Sequence, residues 1–109
     1  MALSTEEKSA LIQFKADLKK VLGDELIALR LFGSKARGDD RPDSDTDVLV
    51  IVATDDWHIS DTVYDIATDL LLQTDICISP KVISKNILDQ LQKEDASFAR
   101  NVSKAAIPI

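Results

Sequence analysis

Apolar residues recur along this chain at two spacings, and the switches between them mark out its elements. Leu11, Phe14, Leu18 and Val21 return every three or four positions until Gly23, and Ser4 precedes Glu7 by three residues in the manner of a capping box. A first amphipathic helix is therefore expected from about Thr5 to Leu22. From Leu26 to Phe32, and again from Thr46 to Ala53, short apolar runs rich in β-favouring residues predict two strands, separated by a turn region over Gly33 to Asp43. Asp55 or Asp56 can cap the next helix, whose stripe of Ile59, Val63, Ile66 and Leu70 reaches Gln73. A third strand is expected from Asp75 to Ser79, with Ile76 and Ile78 inward and Pro80 as its stop. Ser84 then opens a short helix through Leu91, and Asp95 caps a last one through Lys104.

This order predicts an α/β (α+β) domain: a small mixed sheet of three or four strands with helices on one face and the other face open. At 109 residues the chain reads as one domain, 1–109, with no repeat, linker or low-complexity tract. The chemistry concentrates between the first two strands, where Gly33 to Asp47 reads Gly-Ser-Lys-Ala-Arg-Gly-Asp-Asp-Arg-Pro-Asp-Ser-Asp-Thr-Asp. Gly33 lets the backbone approach a phosphate closely, and the Ser34 hydroxyl can donate to a phosphate oxygen. Lys35 and Arg37 add positive charge where a helical turn would present free N–H groups. Side chains alternate on a strand, so Asp45 and Asp47 should share one face while Val48, Val50 and Val52 take the other. Two carboxylates so close repel unless a cation lies between them, and Mg²⁺ favours one or two carboxylates together with phosphate oxygens.

Gly33-Ser34, ten residues, then Asp45-x-Asp47 resembles the signature of the minimal nucleotidyltransferase domains of the DNA polymerase beta-like superfamily. The resemblance implies the polymerase beta-like palm fold and transfer of AMP from ATP to a hydroxyl, with two Mg²⁺ ions. It implies Asp45, Asp47 and Asp75 as metal-binding and catalytic acids, Asp75 completing one metal site and helping to deprotonate the incoming hydroxyl. Gly33, Ser34, Lys35 and Arg37 would hold the triphosphate; Lys35 stands where the family has Arg and supplies a point charge instead of a two-pronged donor. Small stand-alone members are similar to the antitoxin halves of HEPN/MNT toxin–antitoxin modules, which implies a HEPN ribonuclease toxin as partner and one of its tyrosines as acceptor. A binding module that occludes its partner without turnover is the second expectation. A small-molecule nucleotidyltransferase that borrows its substrate-binding half from another subunit is the third.

Composition narrows the partners. Thirteen Lys and Arg against nineteen Asp and Glu leave a formal charge of -6, and no basic run could neutralise a nucleic-acid backbone, so nucleic acid is not expected. No apolar run approaches a membrane span and the N-terminus carries Glu6, Glu7 and Lys8, so no membrane association and a cytoplasmic location are expected. One cysteine and one histidine exclude a four-ligand zinc site built from these residue types. Cys77 reads as strand packing, and Asp39, Asp40 and Asp43 read as solvated loop acids. Trp57 reads as a packing lid, His58 as an exposed helix residue and Tyr64 as a core-edge side chain whose hydroxyl could in principle accept a nucleotide.

Overall fold

The computed structural model describes residues 4–32, 46–94 and 107–108. Helix α1 spans Thr5–Leu22 and begins at the expected capping box, in which Ser4 Oγ accepts from the Glu7 N–H at 3.1 Å and Glu7 Oε1 accepts from the Ser4 N–H at 3.0 Å. It ends at Gly23, whose φ of 56° lies where a Cβ would be strained. A single 3-10 turn, Gly23–Glu25, delivers the chain into β1, Leu26–Phe32. Strand β2 is Thr46–Val52, and helix α2 is Trp57–Thr74. Strand β3 is Ile78–Ser84, helix α3 is Lys85–Lys93, and a two-residue strand β4 is Ile107–Pro108.

The sheet runs in the order β3-β2-β1-β4. β1 pairs antiparallel with both β2 and β4, whereas β2 and β3 are parallel and joined through α2, giving the expected mixed sheet. A bulge between Leu26 and Ala28 shifts the β1–β2 register. β2 lies inside the sheet and is buried almost throughout, as an unbroken apolar run should be.

Alternation along β2 divides the core. Val48, Val50 and Val52, with Leu29, Leu31 and Ile78, pack under Phe14 and Leu18 of α1 and Val63 and Leu70 of α2. Fully burying a residue of this size contributes about 2 kcal/mol of transfer free energy, so this layer dominates the stability. Leu49 and Ile51 face the opposite way and meet Leu88 of α3, with Ala28 and Ile83 beside them. The second face is thus covered over its far half by one short helix. Among the described residues, no helix covers that face at the end where β2 begins.

The third strand differs from expectation. It starts at Ile78 and continues through Pro80 to Ser84, while Asp75 to Cys77 lie outside regular structure. Asp75 caps α2 in the left-handed conformation, φ 62° and ψ 16°, with its N–H donating to the Leu71 carbonyl at 2.9 Å. Proline is tolerated because β3 is an edge strand and the missing N–H is one that need not reach β2. Cys77, expected as core packing, is exposed. Asp56, of the two candidate caps, takes the N-cap of α2, and Ser84 caps α3 by accepting from the Ile87 N–H. The helix expected over Asp95 to Lys104 lies outside the described residues.

Candidate active site

The first residue of β2 anchors the site. Thr46 is 1% exposed, on the helix-covered face, and its hydroxyl donates to Glu7 Oε2 at 3.2 Å across 39 residues of sequence. Its N–H donates to the Cys77 carbonyl at 3.1 Å, just before β3. Thr46 is therefore pinned from two sides, and the same Glu7 carboxylate closes the α1 capping box. A buried hydroxyl without a partner would be costly, so the bond both satisfies Thr46 and sets the height of the chain where Asp47 emerges.

Asp47 follows on the opposite face, partly exposed. Its neighbour across β2 and β3 is Ser79, and Lys81 lies opposite Leu49, so Asp47, Ser79 and Lys81 share one face by strand alternation. These three, with Pro80 and Tyr64 of α2, line an open cavity of about 400 Å³ at the free edge of β3. That volume is within the range of small-ligand sites. Tyr64, expected at the edge of the core, is half-exposed here and forms one wall. A lysine and two hydroxyl-bearing side chains around one carboxylate suit a phosphate-bearing ligand, the carboxylate holding a cation and the lysine balancing the anion.

Of the residues expected from sequence, Gly33, Ser34, Lys35, Arg37 and Asp45 lie outside the described residues, as do Asp39, Asp40 and Asp43. Asp75 is described but sits in the turn before β3, exposed, three residues ahead of the strand that was to carry it. Among the described residues no group of three His, Cys, Asp or Glu side chains is placed to hold a metal ion. The donor chemistry at Asp47 still fits Mg²⁺, since carboxylate and hydroxyl oxygens border the cavity and neither of the softer ligands, His58 or Cys77, lines it. Glu7, Thr46, Ser79 and Lys81 escaped the sequence reading; the one signal was a hydroxyl at Thr46 on the inward face of an otherwise apolar strand.

His58 is exposed, as expected, but Trp57 does not act as a lid. It is 66% exposed and its ring stacks on His58 with centroids 3.6 Å apart. Asp56 Oδ1 accepts from the His58 N–H and lies 2.9 Å from His58 Nδ1. The backbone bond first, then the side-chain bond, hold the Asp56 carboxyl below its ordinary value. None of the three lines the cavity.

A small mixed sheet, two long helices on one face where all helices were expected, a short third helix on the other, and a carboxylate rising at the start of β2 are the features of a nucleotidyltransferase palm. The chain belongs to the polymerase beta nucleotidyltransferase family, whose profile matches residues 13–109. Two curated relatives come from Methanocaldococcus jannaschii. "Putative protein adenylyltransferase MJ0141" is 40% identical over 69% of this chain and 77% of its own length. "Putative protein adenylyltransferase MJ0604" is 35% identical over 88% of this chain and 90% of its own. Two solved structures share the fold. One, described as "Crystal structure of the toxin-antitoxin with AMP-PNP", has a TM-score of 0.56 at 20% identity, covering 96% of this chain and 72% of that one. The other, described as "Structure of putative minimal nucleotidyltransferase", has a TM-score of 0.57 at 22% identity, covering 94% of each. No helix among the described residues is long and apolar enough to cross a membrane.

Proposed function

We propose that this protein transfers AMP from ATP to a tyrosine hydroxyl of a HEPN-type ribonuclease toxin and is the antitoxin of that pair in the cytoplasm. The observation that carries the reading is Asp47, standing at the start of β2 and facing a cavity with Ser79 and Lys81. The relatives described as protein adenylyltransferases support a protein acceptor, and the fold neighbour described as a toxin–antitoxin with AMP-PNP supports the partner class and the nucleotide.

In this reading Gly33 and Ser34 receive the triphosphate, with Lys35 and Arg37 balancing its charge. Asp45 and Asp47 hold the cations, and Asp75 approaches from the turn before β3 as the third acid. Two Mg²⁺ ions, when bound, would offset phosphate charge during an in-line displacement. The acceptor oxygen bonds to the α-phosphorus, the bond to the β-phosphate oxygen breaks, and pyrophosphate leaves. The partner holds its own hydroxyl in line, which supplies the orientation on which the rate depends.

Asp45→Asn and Asp47→Asn should each reduce pyrophosphate release with the co-expressed partner to background, because loss of one carboxylate leaves phosphate charge uncompensated. Undiminished release by the doubly substituted protein would overturn the site. Mass spectrometry of the partner tests the acceptor: AMP on a tyrosine is expected, and an unmodified but inhibited toxin would replace transfer by occlusion.

A further inference from the structure

We propose that Tyr64 is itself an acceptor: with no partner bound, the protein adenylylates its own Tyr64 in cis. The inference rests on the nucleotidyl-transfer reading above and adds a modification site to it. Tyr64 is the chain's one tyrosine, 49% exposed, on α2. Although α2 packs on the far face of the sheet, Tyr64 comes round the free edge of β3 and lines the same cavity as Asp47, Ser79 and Lys81. A cavity of about 400 Å³ is small enough that a nucleotide held against one wall lies within reach of the others. The phenol is thus already presented to the site, and intramolecular presentation replaces a bimolecular encounter.

Three features favour Tyr64 over Ser79, the other hydroxyl among the described residues that line the cavity. A phenol is more acidic than an aliphatic alcohol, so its oxygen attacks with more negative charge. Ser79 is tied to the β3 backbone on a short side chain, whereas Tyr64 extends from a helix on a long one. The Tyr64 backbone is also fixed, its carbonyl accepting from both the helix ladder and the Thr68 hydroxyl at 2.9 Å, so the ring swings from a steady base. In the reaction Tyr64 Oη forms a bond to the α-phosphorus of a nucleoside triphosphate, the bond to the β-phosphate oxygen breaks, and pyrophosphate takes the electron pair. The phenolic proton passes to water. The product carries AMP at the cavity mouth, where it would block further turnover.

Two measurements on the full chain test this. In the first, protein with ATP and Mg²⁺ but no partner is followed by intact mass and peptide mapping. The expected result is one AMP on Tyr64, formed at a rate independent of protein concentration and absent from Tyr64→Phe and from Asp47→Asn. AMP on Ser79 or elsewhere, or no AMP on the chain, overturns the proposal. If the partner is modified while Tyr64 stays bare, self-modification alone fails and the transfer reading stands; if neither is modified, both fail. In the second, the sole tyrosine is nitrated with tetranitromethane with and without the non-hydrolysable analogue AMP-PNP and Mg²⁺. Binding should slow nitration several-fold without any chemistry at phosphorus, and an unchanged rate with AMP-PNP shown to be bound places Tyr64 outside the nucleotide's reach and overturns the proposal.

Discussion

Thr46 shows how one oxygen can position a candidate active-site acid. Its side chain is buried beneath the sheet, yet its hydroxyl reaches Glu7 and its backbone reaches the residue before β3, so Asp47 rises from a point fixed on both sides. Thr46→Val keeps the volume and removes the bond, leaving Glu7 without that donor; a loss of about 1 kcal/mol or more in urea unfolding is expected. The Mg²⁺ concentration needed for half-maximal transfer should also rise, and Thr46→Ser should restore it. A purely structural role would lower stability and leave that requirement alone. Asp75 is a second case. Asn tolerates the left-handed conformation as Asp does, so Asp75→Asn should unfold within about 0.5 kcal/mol of the wild type. It should leave ATP affinity within roughly tenfold and cut the transfer rate far more. An equal fall in both would remove Asp75 from the acceptor side of the reaction.

The elements read from periodicity were those with strong ends. α1 and β1 fall on the expected bounds because Ser4, Glu7 and Gly23 punctuate one and a turn brackets the other. β3 was misplaced because Ile76 and Ile78 alternate as a strand does, and because Pro80 reads as a terminator in any strand that is not at an edge. Edge position is a property of the sheet and is invisible locally, as is the exposure of Cys77, which had been inferred from its apolar neighbours. Tertiary placement likewise decides α3: nothing in its nine residues says that Leu88 will cross to the second face and meet Leu49 and Ile51. Leu88→Ala should cost about 2–4 kcal/mol, measured by urea unfolding, since a nearly buried leucine leaves a cavity between helix and sheet. α2 carries a pH dependence at its start. The Asp56 carboxyl is held below its ordinary value, so its contribution to stability is present above that value and is lost as pH falls through the lower, folded one. Asp56→Ala should lower the thermal midpoint at neutral pH and differ less from wild type once the carboxyl is protonated.

At the scale of the whole molecule, charge bears on the proposed partner. A net charge of -6 would favour encounter with a basic protein, and the proposed partner would bring its hydroxyl to the cavity beside Asp47. Association with the proposed toxin should therefore slow as salt rises from about 0.05 to 0.5 M, with dissociation changing less, as stopped-flow mixing can show. A salt-independent association rate would mean that charge plays no part in the encounter. How that partner docks is limited by Pro80. The outer rim of β3 offers no N–H at its third residue and carries Lys81 beside it, so a visiting strand would meet a gap in the ladder. Growth of the sheet by β-augmentation is thereby discouraged at the border that opens onto the cavity, and the entrance proposed for nucleotide and acceptor is kept from being sealed by a neighbour's backbone.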